Sequence, residues 1–108
     1  MIQSKNRTAP HVAVIEASEA LADESLRERF SELSRNGIKL LVIDMRPCTK
    51  ATVSGLLSLV HAHEGFEQGT RLFGLAPNIA TKIRRYGVDR KIPIFLTEDD
   101  ALEGTPRG

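Results

Sequence analysis

Among its 108 residues the chain has one cysteine, Cys48. A single thiol excludes an intramolecular disulfide and any metal cluster built on several thiolates, and it suits a reducing cytoplasm. An excess of charge of either sign is missing too: 15 Lys and Arg stand against 14 Asp and Glu, a formal +1. No sequence-wide field therefore draws the chain toward nucleic acid or an anionic membrane. No apolar run approaches the roughly 20 residues that cross a bilayer, and the opening MIQSKNRTAPHV lacks the apolar stretch of a signal peptide. A soluble, cytosolic protein without membrane insertion is expected. Repeats and low-complexity segments are absent as well, and the length suits one domain spanning residues 1–108.

Catalytic motifs are equally scarce. LLVID, ending at Asp44, looks like the Mg-binding strand of a P-loop enzyme, but the chain has no GxxxxGK loop. Asp44 is left with a structural role at a strand end. Gly65, Gly69 and Gly74 do not have GxGxxG spacing and read as punctuation. His61 and His63 are two apart, which on a helix points them about 200° apart. Metal helices use i and i+4, so these two are read as solvated or partly packed. The first strand offers only Glu16 beside Asp44, short of the neighbouring acidic pair of a phosphorylatable receiver domain. Cys48 lies at a strand-to-helix turn, where a helix N-terminus can activate a thiol, but no base is identifiable. No enzyme, metal site or cofactor is implied.

What is present is an alternation of strands and helices. HVAVIEA, residues 11–17, reads as a buried strand, and residues 1–10, ending at Pro10, as an edge strand or loose arm. ADESLRERFSELSRNG spaces Leu26, Phe30 and Leu33 as a helix, with Asp23 as N-cap and Asn36-Gly37 as its stop. IKLLVIDM, residues 38–45, is apolar enough for a central parallel strand covered on both faces. A second helix follows, with Val53, Leu56, Leu57 and Val60 as its expected buried stripe and polar residues 61–68 leading out. TRLFGLA is a third strand. Pro77 opens PNIATKIRRYG, whose Ile79, Ile83 and Tyr86 share a face before Gly87 ends it. KIPIFLT is a short outer strand because of its proline, Thr97 and Asp100 form a capping pair for EDDALEG, and residues 104–108 are a frayed tail. The pattern predicts an α/β fold: a mostly parallel sheet of about four to five strands with alternating helices packed on it.

This order of elements and the local sequence together resemble the STAS domain, the module shared by bacterial anti-sigma factor antagonists and the cytoplasmic ends of sulfate transporters. The resemblance runs from about His11 to Leu102 and is carried by LLVIDM, by TVSGLLSLV and by RLFGLAPNIATKIRRYGVDRKIPIFLTEDDAL. It implies a non-catalytic domain that binds a protein partner, usually an anti-sigma factor that is also a serine kinase. In the family a serine at the start of the second helix is phosphorylated to switch that binding. The family's Asp falls on Thr52, its phosphoacceptor Ser on Val53, and the next Ser and Gly on Ser54 and Gly55.

Val53 has no oxygen to phosphorylate, although Thr52 can cap the helix and Gly55 can admit another backbone. The resemblance thus implies a partner-binding or regulatory surface at Thr52, Val53, Ser54 and Gly55, switched at Ser54 or Thr52 if at all. The plainer reading of Val53 is a core contact in the first helical turn. Where the family has GELD between first strand and first helix this chain has EASEALAD, which points to an unusual partner. Arg46 and Lys50 flank the same turn as candidate anion or partner contacts. Lys82, Arg84, Arg85, Arg90 and Lys91 cluster around the third helix, where they either meet an acidic partner, a nucleotide phosphate or an anionic headgroup, or complement the helix dipole. Three roles follow: an antagonist sequestering an anti-sigma factor or kinase, a subunit of a stressosome or of a sulfate or lipid transport complex, and a sensor of a small anion or nucleotide near residues 46–55. Oligomerisation is left open.

Overall fold

The computed structural model describes residues 11–21 and 23–104, with the backbone alone for residues 23–26. The expected arm at 1–10 lies outside the described residues, as do residues 105–108 of the expected tail. In chain order the elements are β1 (Val12–Glu16), β2 (Ala20–Leu21), α1 (Asp23–Arg35), β3 (Leu40–Asp44), β4 (Lys50–Ala51) and α2 (Val53–Gly65). They continue with β5 (Thr70–Phe73), α3 (Pro77–Arg85), a 3-10 turn (Val88–Arg90), β6 (Ile94–Phe95) and α4 (Glu98–Glu103).

Strand β3 lies inside a parallel sheet of order β1-β3-β5-β6. All five of its residues are buried, because helices cover one face and α4 the other, as its largely apolar sequence predicts. The pleat sends alternate residues to opposite sides. Ala13, Ile15, Leu41, Ile43 and Leu72 meet Phe30 of α1, Leu56 and Leu59 of α2, and Ile79 and Ile83 of α3. Val14, Leu40, Val42, Phe73 and Phe95 form a second, smaller core with Ala101 of α4. Strand β6, which directly follows Pro93, is an edge, as expected.

Caps and stops mostly fall where the residue types place them. Pro77 occupies the first turn of α3, and the Thr97 hydroxyl accepts from the Asp100 N–H at 3.2 Å. Three expectations are corrected. Helix α1 begins at Asp23 itself, so this residue is helical rather than the cap before it; its side chain and that of Leu26 lie outside the described residues. Tyr86 is 49 % exposed, because α3 stops at Arg85 and Tyr86 has already left helical geometry at φ −96, ψ 7. Gly104 ends α4 in the left-handed conformation and so closes a helix rather than opening a frayed tail.

One feature was not foreseen. Strands β2 and β4, two residues each, pair in parallel as a separate small sheet. Around it the Thr49 and Lys50 amides donate to the Glu19 carbonyl at 2.9 and 3.1 Å, and Thr52 N–H donates to the Leu21 carbonyl at 3.2 Å. This pairing ties the segment before α1 to the threshold of α2.

Candidate functional site

The turn between β3 and α2 starts from a buried charge. Asp44 is 1 % exposed, and Arg46 folds back onto it, with Nε 2.9 Å from Oδ1, Nη2 2.7 Å from Oδ2 and the backbone N–H 3.0 Å from Oδ1. These hydrogen bonds, and then the carboxylate's charge, raise the Arg46 guanidinium above its already high range. Its stem lies against Gly74, and its guanidinium sits 5.6 Å from the Phe73 ring centre. Further on, Cys48 is fully buried and its thiol donates to the Lys50 carbonyl at 3.2 Å. Burial pushes the Cys48 thiol up, the opposite of activation, and β4 separates it from the helix N-terminus.

Thr52 then opens α2. Its backbone is extended, and its Oγ1 accepts from the Gly55 N–H at 2.9 Å, as an N-cap should. The same hydroxyl lies 3.4 Å from the Leu21 carbonyl, to which it donates, and 3.5 Å from Ser54 Oγ. Gly55 is buried because the β2 backbone rides directly over it: a Cβ there would lie 2.3 Å from the Leu21 oxygen. Only glycine admits that approach.

This contact sets the rotation of α2 and overturns the expected stripe. The residues turned inward are Gly55, Leu56, Ser58, Leu59 and Ala62. Val53 and Leu57 are 46 % and 51 % exposed, so Val53 is not a core contact, and Val60 is half-buried. At i and i+4, Val53 and Leu57 share one outward face, flanked by exposed Thr52 and Ser54. Thr52, Val53, Ser54 and Gly55 are therefore brought together, three outward and one inward.

Helix α3 braces the turn from the side. Asn78 Nδ2 donates to the Thr49 carbonyl at 2.9 Å, and Lys82 Nζ donates to the Ala51 carbonyl at 2.7 Å. The expected basic cluster is thereby divided: Lys82 holds β4, while Arg84, Arg85, Arg90 and Lys91 are exposed, as is Lys50. His61 is exposed, whereas His63 accepts the Thr70 N–H at Nδ1, 3.0 Å away, so the two histidines diverge. Among the described residues no group of three or more His, Cys, Asp and Glu is placed to hold a metal ion, and no helix is long and apolar enough to cross a membrane.

The Asp44–Arg46 pair and the brace from Asn78 and Lys82 were missed in the sequence. The first had a readable signal, since opposite charges two residues apart at a strand end project to one side. The second had none.

The family model for the STAS domain matches residues 7–101 of the chain. The fold is similar to the crystal structure of an anti-sigma factor antagonist from Mycobacterium paratuberculosis, with a TM-score of 0.79 and 23 % identity over 91 % of this chain and 88 % of that one. It is also similar to the anti-sigma factor antagonist SpoIIAA in its unphosphorylated form, with a TM-score of 0.71 and 14 % identity over 94 % of this chain and 96 % of that one. At these identities the likeness is one of fold. No curated protein sequence matches the chain.

Proposed function

The chain belongs to the STAS domain family, and from that premise we propose that it is a non-catalytic, cytoplasmic regulatory protein of the anti-sigma factor antagonist type, whose partner is an anti-sigma factor with serine kinase character docking on the start of α2. The observation that carries this is the outward Val53–Leu57 pair on a helix start already held in place. Thr52 caps it, Leu21 packs on Gly55, and Lys82 pins the strand before it. A surface fixed before binding gives up little conformational freedom on docking, and two adjacent aliphatic side chains offer it an apolar centre.

Val53 cannot carry phosphate, so binding at this position is constitutive. Where modification occurs it falls on Ser54, which is exposed, because the Thr52 hydroxyl is engaged with Gly55 and Leu21. A phosphate at Ser54 would set about −1.5 to −2 charges beside the apolar pair and weaken docking. The missing hydroxyl at position 53 also favours a second reading, a permanently assembled subunit of a stressosome or a transport complex. The anion sensor at residues 46–55 gains less support, since Asp44 engages the guanidinium of Arg46.

Affinity capture from the native cytosol, wild type beside Val53→Asp, tests the proposal. The substitution is at an exposed position in the first helical turn, where a carboxylate suits the dipole, so the fold should persist. A kinase-type anti-sigma factor held by wild type and released by the aspartate supports the antagonist. The same ATPase or scaffold protein held by both supports the permanent subunit. Capture of neither by wild type overturns both readings.

A further inference from the structure

Strand β6 leaves its outer side open. The Pro93 carbonyl accepts from the Leu72 N–H at 3.1 Å, so the backbone groups of Pro93 and, two residues on, of Phe95 face β5 in the ladder. Those of Ile94 alternate with them and point outward, and among the described residues no strand lies beyond β6 to receive them. A proline commonly disables an edge by removing a donor. Pro93 does not, because the donor it lacks belongs to the inner side. Leu96, the residue after the strand, is 77 % exposed, and an edge with unpaired donors and acceptors is a template for another chain.

The charges at the two ends of this edge are opposite in sign. Arg90 and Lys91 precede the strand and are exposed, and Asp99 follows it and is exposed as well. Among the described residues none of the three takes part in an ion pair. They lie at similar distances from Ile94. The cations stand three and four residues before it and Asp99 five after it, but the last two of those five are in α4, where each residue advances the chain only about 1.5 Å.

We propose that β6 is a self-association edge, on which a second copy of the chain pairs antiparallel about a two-fold axis at Ile94. In that register the Ile94 of each copy donates its N–H to the other's Ile94 carbonyl, and the two four-stranded sheets become one. Arg90 and Lys91 of each copy then face the partner's Asp99, twice over by symmetry. A parallel pairing would set like charges side by side, which is destabilising, so the charges select the antiparallel one. Leu96 is brought opposite the partner's residues 92 and 93 and leaves water. A short edge contact buries little area, so the dimer is a weak, transient one.

Sedimentation velocity at rising protein concentration, with amide hydrogen exchange measured at the lowest and highest, tests this. The expected result is reversible association that stops at the dimer, as a two-fold contact closes on itself. The Ile94 amide should slow as the dimer fills, with the Phe95 amide, turned toward β5, as internal reference. Arg90→Glu/Lys91→Glu and Asp99→Lys should each weaken association at least about tenfold, because each sets like charges together. Combining all three substitutions should restore it, because the reversed charges meet again. The three positions are exposed, so the variants should keep the fold, and thermal melts confirm it. A monomer at every concentration, which would leave the edge to a strand of another protein, overturns the proposal. Growth beyond the dimer, an Ile94 amide indifferent to concentration, or a triple variant as weak as its parents does so too. Strand β6 shares no residue with the start of α2, so failure here leaves the antagonist reading untouched, and failure of the capture experiment leaves the dimer untouched.

Discussion

Gly55 is the residue on which the helix start depends most closely. Its hydrogen faces the Leu21 carbonyl at a separation no methyl can occupy, so Gly55→Ala forces β2 and α2 apart. Alanine returns up to about 1 kcal/mol of helix propensity, but overpacking against a fixed backbone costs about 1–3 kcal/mol. A net loss of stability is expected, read as a lower urea midpoint with unchanged slope; an unchanged midpoint would mean that β2 yields freely. The need for a small residue at 55 was legible in the sequence, while the identity of the backbone it receives was not. Val53 and Leu57 were misread for a related reason. Val53, Leu56, Leu57 and Val60 fit helical spacing, but the true inner face includes Gly55 and Ser58, the latter 2 % exposed. A stripe drawn through apolar residues alone is therefore rotated away from the one the tertiary contacts choose.

Among the elements, α3 has a task beyond packing Ile79 and Ile83 into the core: it steadies the approach to α2 through Asn78 and Lys82. Replacing Lys82 with methionine keeps most of the stem and removes the bond to the Ala51 carbonyl, a charged hydrogen bond worth about 1.5–3 kcal/mol. Lys82 is only half-buried, which puts the expected effect at the low end. Lys82→Met should speed hydrogen exchange at the Thr49, Lys50 and Thr52 amides, which hold the small sheet, and leave β3 amides at their wild-type rates. Uniform acceleration would instead mean that the whole molecule opens as one unit. The long elements were legible because five buried residues in a row, or apolar residues three and four apart, leave a pattern. Strands of two residues leave none, and neither β2 nor β4 could be found before its partner was visible.

For the molecule as a whole, the order of strands and helices and the parallel sheet were readable, since crossover chirality leaves few ways to cover such strands. Its response to pH depends in part on Cys48. Burial raises this thiol above its ordinary range in the folded protein, so its contribution is fully present below the range in which an unfolded thiol ionises. It is lost as pH climbs toward the higher folded value, because the unfolded chain releases its proton first. Melting temperatures measured from neutral to alkaline pH should fall more steeply for wild type than for Cys48→Ala; parallel curves would show that the thiol ionises alike in both states. The carboxyl end of the sheet has a consequence of its own. In open α/β proteins that crevice is where guests are received, but here Arg46, gripping Asp44 and lying over Phe73, is a resident guest supplied by the chain itself. That doorway is stoppered from within.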